Sequence, residues 1–146
     1  MRIVIGVDWS DESFSTVRQV LQLYRPAEID LVHGNDLGIF KYPGMAQAVN
    51  LPGYEQYLYA VTDAGQQVLD RTANIVSHTG VINKVNEIGS PAEIILDTAR
   101  KMNADLVAVG ARGRNRVTEI VLGSVSHRVL THASCSTLIV KGNDRP

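Results

Sequence analysis

The chain has 146 residues, a length typical of one domain that buries about two thirds of its unfolded surface. Apolar residues make up 45% of the sequence and charged residues 20%, which is typical of a globular protein and excludes a disordered or fibrous one. Because the formal net charge is only −1, neither nucleic acid nor an anionic membrane is expected as a partner.

No segment of the sequence predicts export or membrane insertion. The apolar run near the start, residues 3–7, is interrupted by Gly6 and is too short for a signal-peptide core or a membrane span. The single cysteine, Cys135, excludes an internal disulfide and a multi-cysteine zinc site. We therefore expect a cytoplasmic protein.

The first half of the chain predicts two buried strands around an amphipathic helix. Residues 2–8 and 28–33 are short, apolar and rich in β-branched side chains, as in strands buried on both faces. Between them, apolar residues follow helical spacing after Ser10 and stop before Pro26. Residues 34–53 contain repeated glycines and prolines, which predict a long loop.

The middle of the chain predicts a long helix, a strand and a capped helix. Residues 54–78 carry apolar side chains on one helical side, with Gly80 as the expected C-terminal cap. Residues 81–88 form a more polar third strand, which predicts a position near the sheet edge. The sequence Ser90-Pro91-Ala92-Glu93 fits a capping box, with serine at the N-cap and glutamate at the third helical position.

The last third predicts two more strands and a helix. The sequence predicts buried strands over residues 105–109 and 137–141. Residues 117–131 carry valines at helical spacing, which predicts a helix. Five strands then alternate with four helices over one domain, residues 1–146, which predicts an α/β fold with an open parallel sheet covered on both faces. In such sheets ligands bind beyond the carboxyl ends of the strands, where Asp8, His33 and Gly110 are expected to meet.

A glycine-rich segment, residues 110–127, follows the fourth strand and suggests an anion site. Gly110 and Gly113 would let backbone N–H groups approach a ligand, a helix N-terminus with exposed amides favours an anion, and serine hydroxyls such as that of Ser124 add donors. Neither a Walker A loop nor the pattern GxGxxG is present. From these residues alone, a phosphate site and a solvated basic loop remain equally open. The arginines that would serve either role are Arg112, Arg114 and Arg116.

Four ordered motifs resemble the universal stress protein family. The spacing Gly110-x2-Gly113-x9-Gly123-Ser124 matches the ATP-binding signature of that family, and VDWS after the first strand resembles its VDxS. Residues 89–114 and 123–141 resemble its central and C-terminal blocks. The resemblance implies a Rossmann-like fold, similar to the adenine nucleotide alpha hydrolases, with strand order 3-2-1-4-5.

The resemblance also implies an ATP site, with or without Mg²⁺. Asp8 and Val7 would lie near the ribose or adenine, and Val32 against the adenine. The other implied contacts border the ribose and phosphates. They are Gly110, Arg112, Gly113, Gly123, Ser124, Val125 and Ser126. No catalytic residue and no metal ligand is assigned.

Two positions depart from the family pattern. Cys135-Ser136-Thr137 stands where the family often has Cys-Pro-Val, at a strand edge that forms the dimer contact in many members. The resemblance still implies a homodimer, but its geometry is open. Trp9 replaces a residue that is commonly small, and is expected to narrow the pocket or stack on its ligand.

Three functions remain open on the sequence. The first is a regulatory homodimer that ATP switches between two states. The second is a slow ATPase, although Asp8 and Glu119, the only acidic residues in or beside the expected site, belong to no recognised catalytic motif. The third is a family member that acts through protein contacts without a nucleotide. A phospho-receiver is disfavoured because the third strand ends in Glu87-Ile88-Gly89 rather than in aspartate.

Overall fold

A computed structural model describes residues 1–38, 52–76, 80–112 and 122–142. Strands and helices alternate through these residues, as the sequence predicts, and all five predicted strands are confirmed. No helix among the described residues has the length and apolar character needed to cross a membrane. The elements are β1 Arg2–Gly6, α1 Asp11–Leu23, β2 Glu28–Asn35, α2 Tyr54–Ile75, β3 Val81–Ile88, α3 Pro91–Lys101, β4 Leu106–Gly110, α4 Ser124–His132 and β5 Ser136–Val140.

The five strands form one parallel sheet in the order β3-β2-β1-β4-β5, which confirms the predicted order 3-2-1-4-5. β1 lies at the centre, where Ile3 pairs with Ile29 of β2 on one side and with Leu106 of β4 on the other. Its three middle residues are fully buried. β3 lies at an edge, and its more polar sequence reflects greater exposure.

Helices cover both faces of the sheet, because side chains alternate between the faces along each strand. Ile3 and Ile5 pack with α1 and α2 in one apolar core, whereas Val4 packs with α3 and α4 in the other. The crossover after β1 and the crossover after β4 thus lie on opposite faces. The strand order reverses between β1 and β4, and a crevice opens at their carboxyl ends.

The predicted capping box of α3 is wrong in its side-chain contacts. Ser90 is the N-cap and Pro91 begins the helix, as expected, but the Ser90 side chain makes no capping hydrogen bond. Glu93 instead pairs with Arg128 of α4. A guanidinium gives a charge-assisted hydrogen bond, which is stronger than one from a neutral backbone amide. The motif therefore links two helices rather than capping one.

The predicted start of α4 at Val117 is also wrong. The helix begins at Ser124, because Gly123 has an extended backbone with φ −62° and ψ 164° and forms its N-cap. Residues 117–121 lie outside the described residues. The N-terminus of α4 consequently coincides with the glycine and serine of the predicted binding motif.

Gly80 does not cap α2, which ends at Ile75 with Val76 as its C-cap. Gly80 has a φ of 49° and lies directly before β3, and a Cβ there would come within 2.3 Å of the Ala27 carbonyl oxygen. That carbonyl accepts a hydrogen bond of 3.0 Å from the Val81 N–H. Gly80 thus lets β3 approach the start of β2.

β2 is two residues longer than predicted, so His33 does not end it. The strand continues through Gly34 to Asn35, because β3 pairs with it along its whole length and supplies Ile88 opposite Asn35. The predicted loop therefore begins later than Gly34. The extra residues place the Asn35 side chain beside the crevice.

Gly34 lets α3 pack closely against β2, and this contact gives a first prediction. A Cβ at Gly34 would lie 2.5 Å from the Cα of Pro91, a backbone atom that cannot swing aside. We expect Gly34→Ala to lower the free energy of unfolding by about 1–3 kcal/mol through overpacking. Urea denaturation measures this, and an unchanged midpoint would contradict the proposed steric role of Gly34.

Candidate functional site

A cleft of about 800 Å³ opens at the carboxyl ends of β1, β2 and β4. It is lined by nine of the ten predicted contact residues, whereas Gly113 lies outside the described residues, as do Arg114, Arg116 and Glu119. α2 and α3 complete its walls with residues such as Val61 and Ile95. The predicted residues that the structure brings together are Val7, Asp8, Val32, Gly110, Arg112, Gly123, Ser124, Val125 and Ser126.

Asp8 lies in the turn between β1 and α1, where it holds the N-cap of α1. Its Oδ1 accepts hydrogen bonds from the N–H (2.8 Å) and the hydroxyl of Ser10. Ser10 Oγ in turn accepts from the Ser13 N–H at 3.1 Å, and Ser13 Oγ accepts from the Asp8 N–H at 2.9 Å. Oδ2 of Asp8 has no hydrogen-bond partner among the described residues. One carboxylate oxygen is thus structural, and the other is available to a ligand.

The N-terminus of α4 lies at the cleft and presents its first backbone amides there. The first hydrogen bond within the helix is donated by His127, so the N–H groups of Ser124, Val125 and Ser126 have no backbone partner in the described chain. Such a helix terminus carries a partial positive charge and binds anions. Ser124 is exposed, and its hydroxyl adds a further donor.

Ser126 has a different role from Ser124. It is 2% exposed, and its hydroxyl lies 2.7 Å from the carbonyl oxygen of Ala111 and 3.0 Å from that of Gly123. The Gly123 N–H also donates to the Ala111 carbonyl at 2.8 Å. The Ser126 side chain therefore fastens the start of α4 to the end of β4, and only its N–H remains for a ligand.

Arg112 is held by a buried acidic side chain that the sequence reading missed. Its backbone N–H donates to Oε2 of Glu12 at 2.8 Å, and its Nε lies 3.9 Å from Oε1. Glu12 is 2% exposed, and its Oε1 accepts no hydrogen bond from any residue that the structure describes. Glu12 occupies the first turn of α1 and, read as a sequence, looks like an ordinary exposed residue at a helix N-terminus.

A second polar group, His33 and Asn35, lies on the side of the cleft formed by β2 and α2. His33 is half-buried and lines the cleft, and its Nδ1–H donates to the Val7 carbonyl at 2.9 Å. Asn35 is 4% exposed and donates to Asn86 of β3. His33 was expected at this crevice, whereas no spacing in the sequence signals Asn35, because its position depends on the register between β2 and β3.

Trp9 lines the cleft directly after Asp8 and is half-buried. Its position agrees with the expectation that it narrows the pocket. Asp36 also lines the opening, beyond the end of β2. Among the residues that the structure describes, no three His, Cys, Asp or Glu side chains are grouped as metal ligands.

Cys135 lies just before β5, away from the cleft lining, and is packed against the core of α3 and α4. Burial raises the pKa of its thiol above the usual value, and the nearby charge of Asp105 raises it further. A raised pKa disfavours the thiolate, so this cysteine has the character of a packed side chain rather than of a nucleophile.

The raised pKa of Cys135 generates a second prediction. The thiol ionises at lower pH in the unfolded chain, so its contribution to stability is complete below the unfolded pKa of about 8.5 and is lost as the pH rises towards the folded value. We expect the difference in unfolding free energy between wild type and Cys135→Ala to shrink between pH 7 and pH 10. Urea titrations of both proteins measure it, and a pH-independent difference would contradict the shift.

The two serines of α4 give a third prediction, on stability alone. Removing the buried hydroxyl with Ser126→Ala should lower the free energy of unfolding by roughly 1 kcal/mol, because it removes an internal hydrogen bond. Ser124→Ala is the matched control on the exposed side of the same turn and should change it by less than about 0.5 kcal/mol. Urea denaturation of both variants decides. Equal effects would mean that Ser126 does not fasten the helix.

Comparisons with known proteins agree with this architecture. The family described as "Universal stress protein family" matches residues 1–141. A universal stress protein of Methanocaldococcus jannaschii, MJ0531, is 30% identical over 146 residues, covering 96% of this chain and 81% of the relative.

Solved structures share the fold. The universal stress protein UspA of Lactobacillus plantarum superposes with a TM-score of 0.77 at 20% identity, covering 96% of this chain and 97% of that one. A universal stress protein family protein of Arabidopsis thaliana with AMP bound gives 0.66 at 19% identity, covering 99% and 93%. A universal stress protein in complex with cAMP gives 0.61 at 23% identity, covering 97% and 96%. With its sheet order, cleft and near-complete match to the family, the chain belongs to the universal stress protein family.

Proposed function

We propose that this protein is an adenine-nucleotide-binding regulatory protein, a homodimer that ATP, with or without Mg²⁺, switches between two states. One observation carries the proposal. Nine residues that were expected to contact a nucleotide, drawn from four separate stretches of sequence, line a single cleft of about 800 Å³. That volume is in the range of small-molecule sites.

The donors and acceptors of the cleft support an extended nucleotide. The amides of Ser124, Val125 and Ser126 and the exposed Ser124 hydroxyl would hold phosphates at the N-terminus of α4. Oδ2 of Asp8, which lacks a protein partner among the described residues, would accept a hydrogen bond from a ribose hydroxyl. The apolar wall near Val32 would lie against the base.

Relatives support the ligand class. One structural neighbour holds AMP and another holds cAMP. ATP is proposed for this chain because the spacing Gly110-x2-Gly113-x9-Gly123-Ser124 matches the ATP-binding signature of the family, and because three amides and a hydroxyl gather at the phosphate end. Binding that is tighter to one conformation than to another would shift the population of states, which is sufficient for regulation without turnover.

An efficient ATPase is not proposed. Hydrolysis requires a group that orients water and charge stabilisation at the γ-phosphate. Among the described acidic residues near the cleft, Asp8 holds Ser10, and Glu12 is buried against Arg112. Oδ2 of Asp8 is assigned to the ribose and Asp36 lies at the opening beyond β2, so no described acidic residue is assigned to a water over a terminal phosphate.

The edge position of β5 supports the homodimer. β5 pairs with β4 on one side, and its other edge has no partner strand in the described chain. Unpaired strand edges are templates for association. Ser136, in the position where the family often has proline, supplies a backbone N–H that proline lacks.

The proposal gives a fourth prediction, tested by thermal shift. Nucleotide at a hundredfold excess over its dissociation constant should add about 2.7 kcal/mol to the free energy of unfolding. We expect ATP, ADP, AMP or cAMP, with and without Mg²⁺, to raise the melting temperature, and GTP to raise it less. Ser124→Ala should weaken ATP binding roughly tenfold or more, because the hydroxyl bonds a charged phosphate.

The control is Thr131→Ala, which removes an exposed hydroxyl from the last turn of the same helix and should leave ATP affinity unchanged. The protein is first unfolded, stripped and refolded, which removes any nucleotide carried through purification. If no adenine nucleotide shifts the melting temperature of the stripped protein, the proposal is wrong, and a family member that acts through protein contacts alone becomes the better reading.

A further inference from the structure

Two asparagines on neighbouring strands form a hydrogen-bonded pair at the α2 side of the cleft. Nδ2 of Asn35 donates to Oδ1 of Asn86 at 2.7 Å and to the carbonyl oxygen of Glu87 at 3.0 Å. Nδ2 of Asn86 donates to the carbonyl oxygen of Thr62 in α2 at 2.9 Å. The pair therefore bridges β2, β3 and α2. It is called the asparagine pair below.

The backbone fixes which atom of each amide is the donor. A carbonyl oxygen only accepts, so the amide atoms facing the carbonyls of Glu87 and Thr62 must be nitrogens. Oδ1 of Asn86 is occupied by Asn35. Oδ1 of Asn35 is then the one polar atom of the pair that has no partner among the described residues.

Oδ1 of Asn35 belongs to a residue that lines the cleft. In the described part of the chain, Oε1 of Glu12 is the one fully enclosed side-chain oxygen or nitrogen without a hydrogen bond. Oδ1 of Asn35 also lacks a partner among the described residues but is not such an enclosed atom. This oxygen therefore retains some accessible surface, although Asn35 as a whole is only 4% exposed. The cleft that Asn35 lines is therefore the space from which a ligand could approach this oxygen.

Gly65 leaves room for the asparagine pair. A Cβ at this position in the middle of α2 would come within 2.8 Å of Oδ1 of Asn35 and 2.6 Å of Oδ1 of Asn86. Glycine inside a helix costs about 1 kcal/mol relative to alanine. Glycine at this position lowers the stability of the helix, but it lets the α2 backbone pass close to the two amide oxygens.

We propose that Oδ1 of Asn35 accepts a hydrogen bond from the exocyclic amino group of a bound purine, and so selects a 6-amino base over a 6-oxo base. The inference rests on the proposed function and assigns the base specificity to one side chain. His33, beside it in the wall, donates its Nδ1–H to the Val7 carbonyl and is held in place by that bond. An amide oxygen in the wall favours an amino edge and repels a carbonyl oxygen.

The test is a fifth prediction and compares three triphosphates on the stripped, full-length protein. ATP carries the amino group, purine riboside triphosphate carries hydrogen in its place, and inosine triphosphate carries oxygen. We expect ATP to bind about five- to tenfold more tightly than purine riboside triphosphate, the value of one hydrogen bond, and inosine triphosphate to bind most weakly. Isothermal titration calorimetry gives the three dissociation constants.

The variant Asn35→Ala assigns the preference to its residue. It should reduce the ratio of the ATP and purine riboside affinities to about one, because the acceptor for the amino group is gone. Asn74→Ala, on the exposed side of α2, is the matched control and should keep the wild-type ratio. If Asn35→Ala does not fold, Asn35→Ser replaces it, since a serine hydroxyl can still donate within the wall but is too short to reach the base.

The outcomes separate the two proposals. Absence of binding by any triphosphate overturns the proposed function and the inference together. Tight ATP binding with an equal preference for the amino base in wild type and in the folded Asn35 variant overturns the inference alone. Loss of the preference in the Asn35 variant, with the preference kept in Asn74→Ala, supports it.

Discussion

The hydrogen bond from the Arg112 backbone N–H to the buried Glu12 carboxylate joins the two halves of the fold at the point where the cleft opens. Glu12 belongs to the first crossover and Arg112 follows the last strand before α4, a hundred positions along the chain. Burying a carboxylate with few hydrogen bonds is costly. The chain bears that cost directly after β4, where Gly110 and Arg112 line the cleft.

Two glycines can be understood from the same side chain. A Cβ at Gly110 would lie 3.3 Å from the Cβ of Glu12, and a Cβ at Gly142 would lie 2.9 Å from its Cγ. The sequence reading gave Gly110 the role of admitting a ligand to the backbone. Its packing against Glu12 is a second and independent reason for glycine, and it shows why glycine spacing by itself could not decide between a binding site and a loop.

The sequence was sufficient for the parts of the fold that depend on periodicity. Short β-branched runs and amphipathic segments gave the five strands and the alternation, and the meeting of strand ends gave the cleft. The contacts that were missed depend on register and packing between distant elements. Asn35 lines the cleft because β2 continues beside β3. Glu93 pairs with Arg128 instead of capping α3 because α4 brings Arg128 within reach. No local pattern contains that information.

For the two serines of the binding motif, helical geometry alone predicts that the side chains have different roles. Ser124 and Ser126 are two residues apart in α4, and successive residues turn by about 100° around a helix, so their side chains point to nearly opposite sides. One hydroxyl is exposed and the other is buried against the carbonyl of Ala111. A shared phosphate role for both side chains conflicts with helical geometry, whereas a shared role for their amides does not.

The polarity of the cleft finally restricts how a ligand can lie in it. Donors gather at one end, where the N-terminus of α4 presents its amides and Ser124 its hydroxyl. Acceptors lie at the other end, where Asn35 offers Oδ1, and Asp8 lies in the turn after β1 with Oδ2 unpaired among the described residues. A ligand that satisfies both ends must carry an anion at one terminus and hydrogen-bond donors towards the other. The same ligand in the reverse direction would place its anion against carboxylate and amide oxygens, which repel an anion.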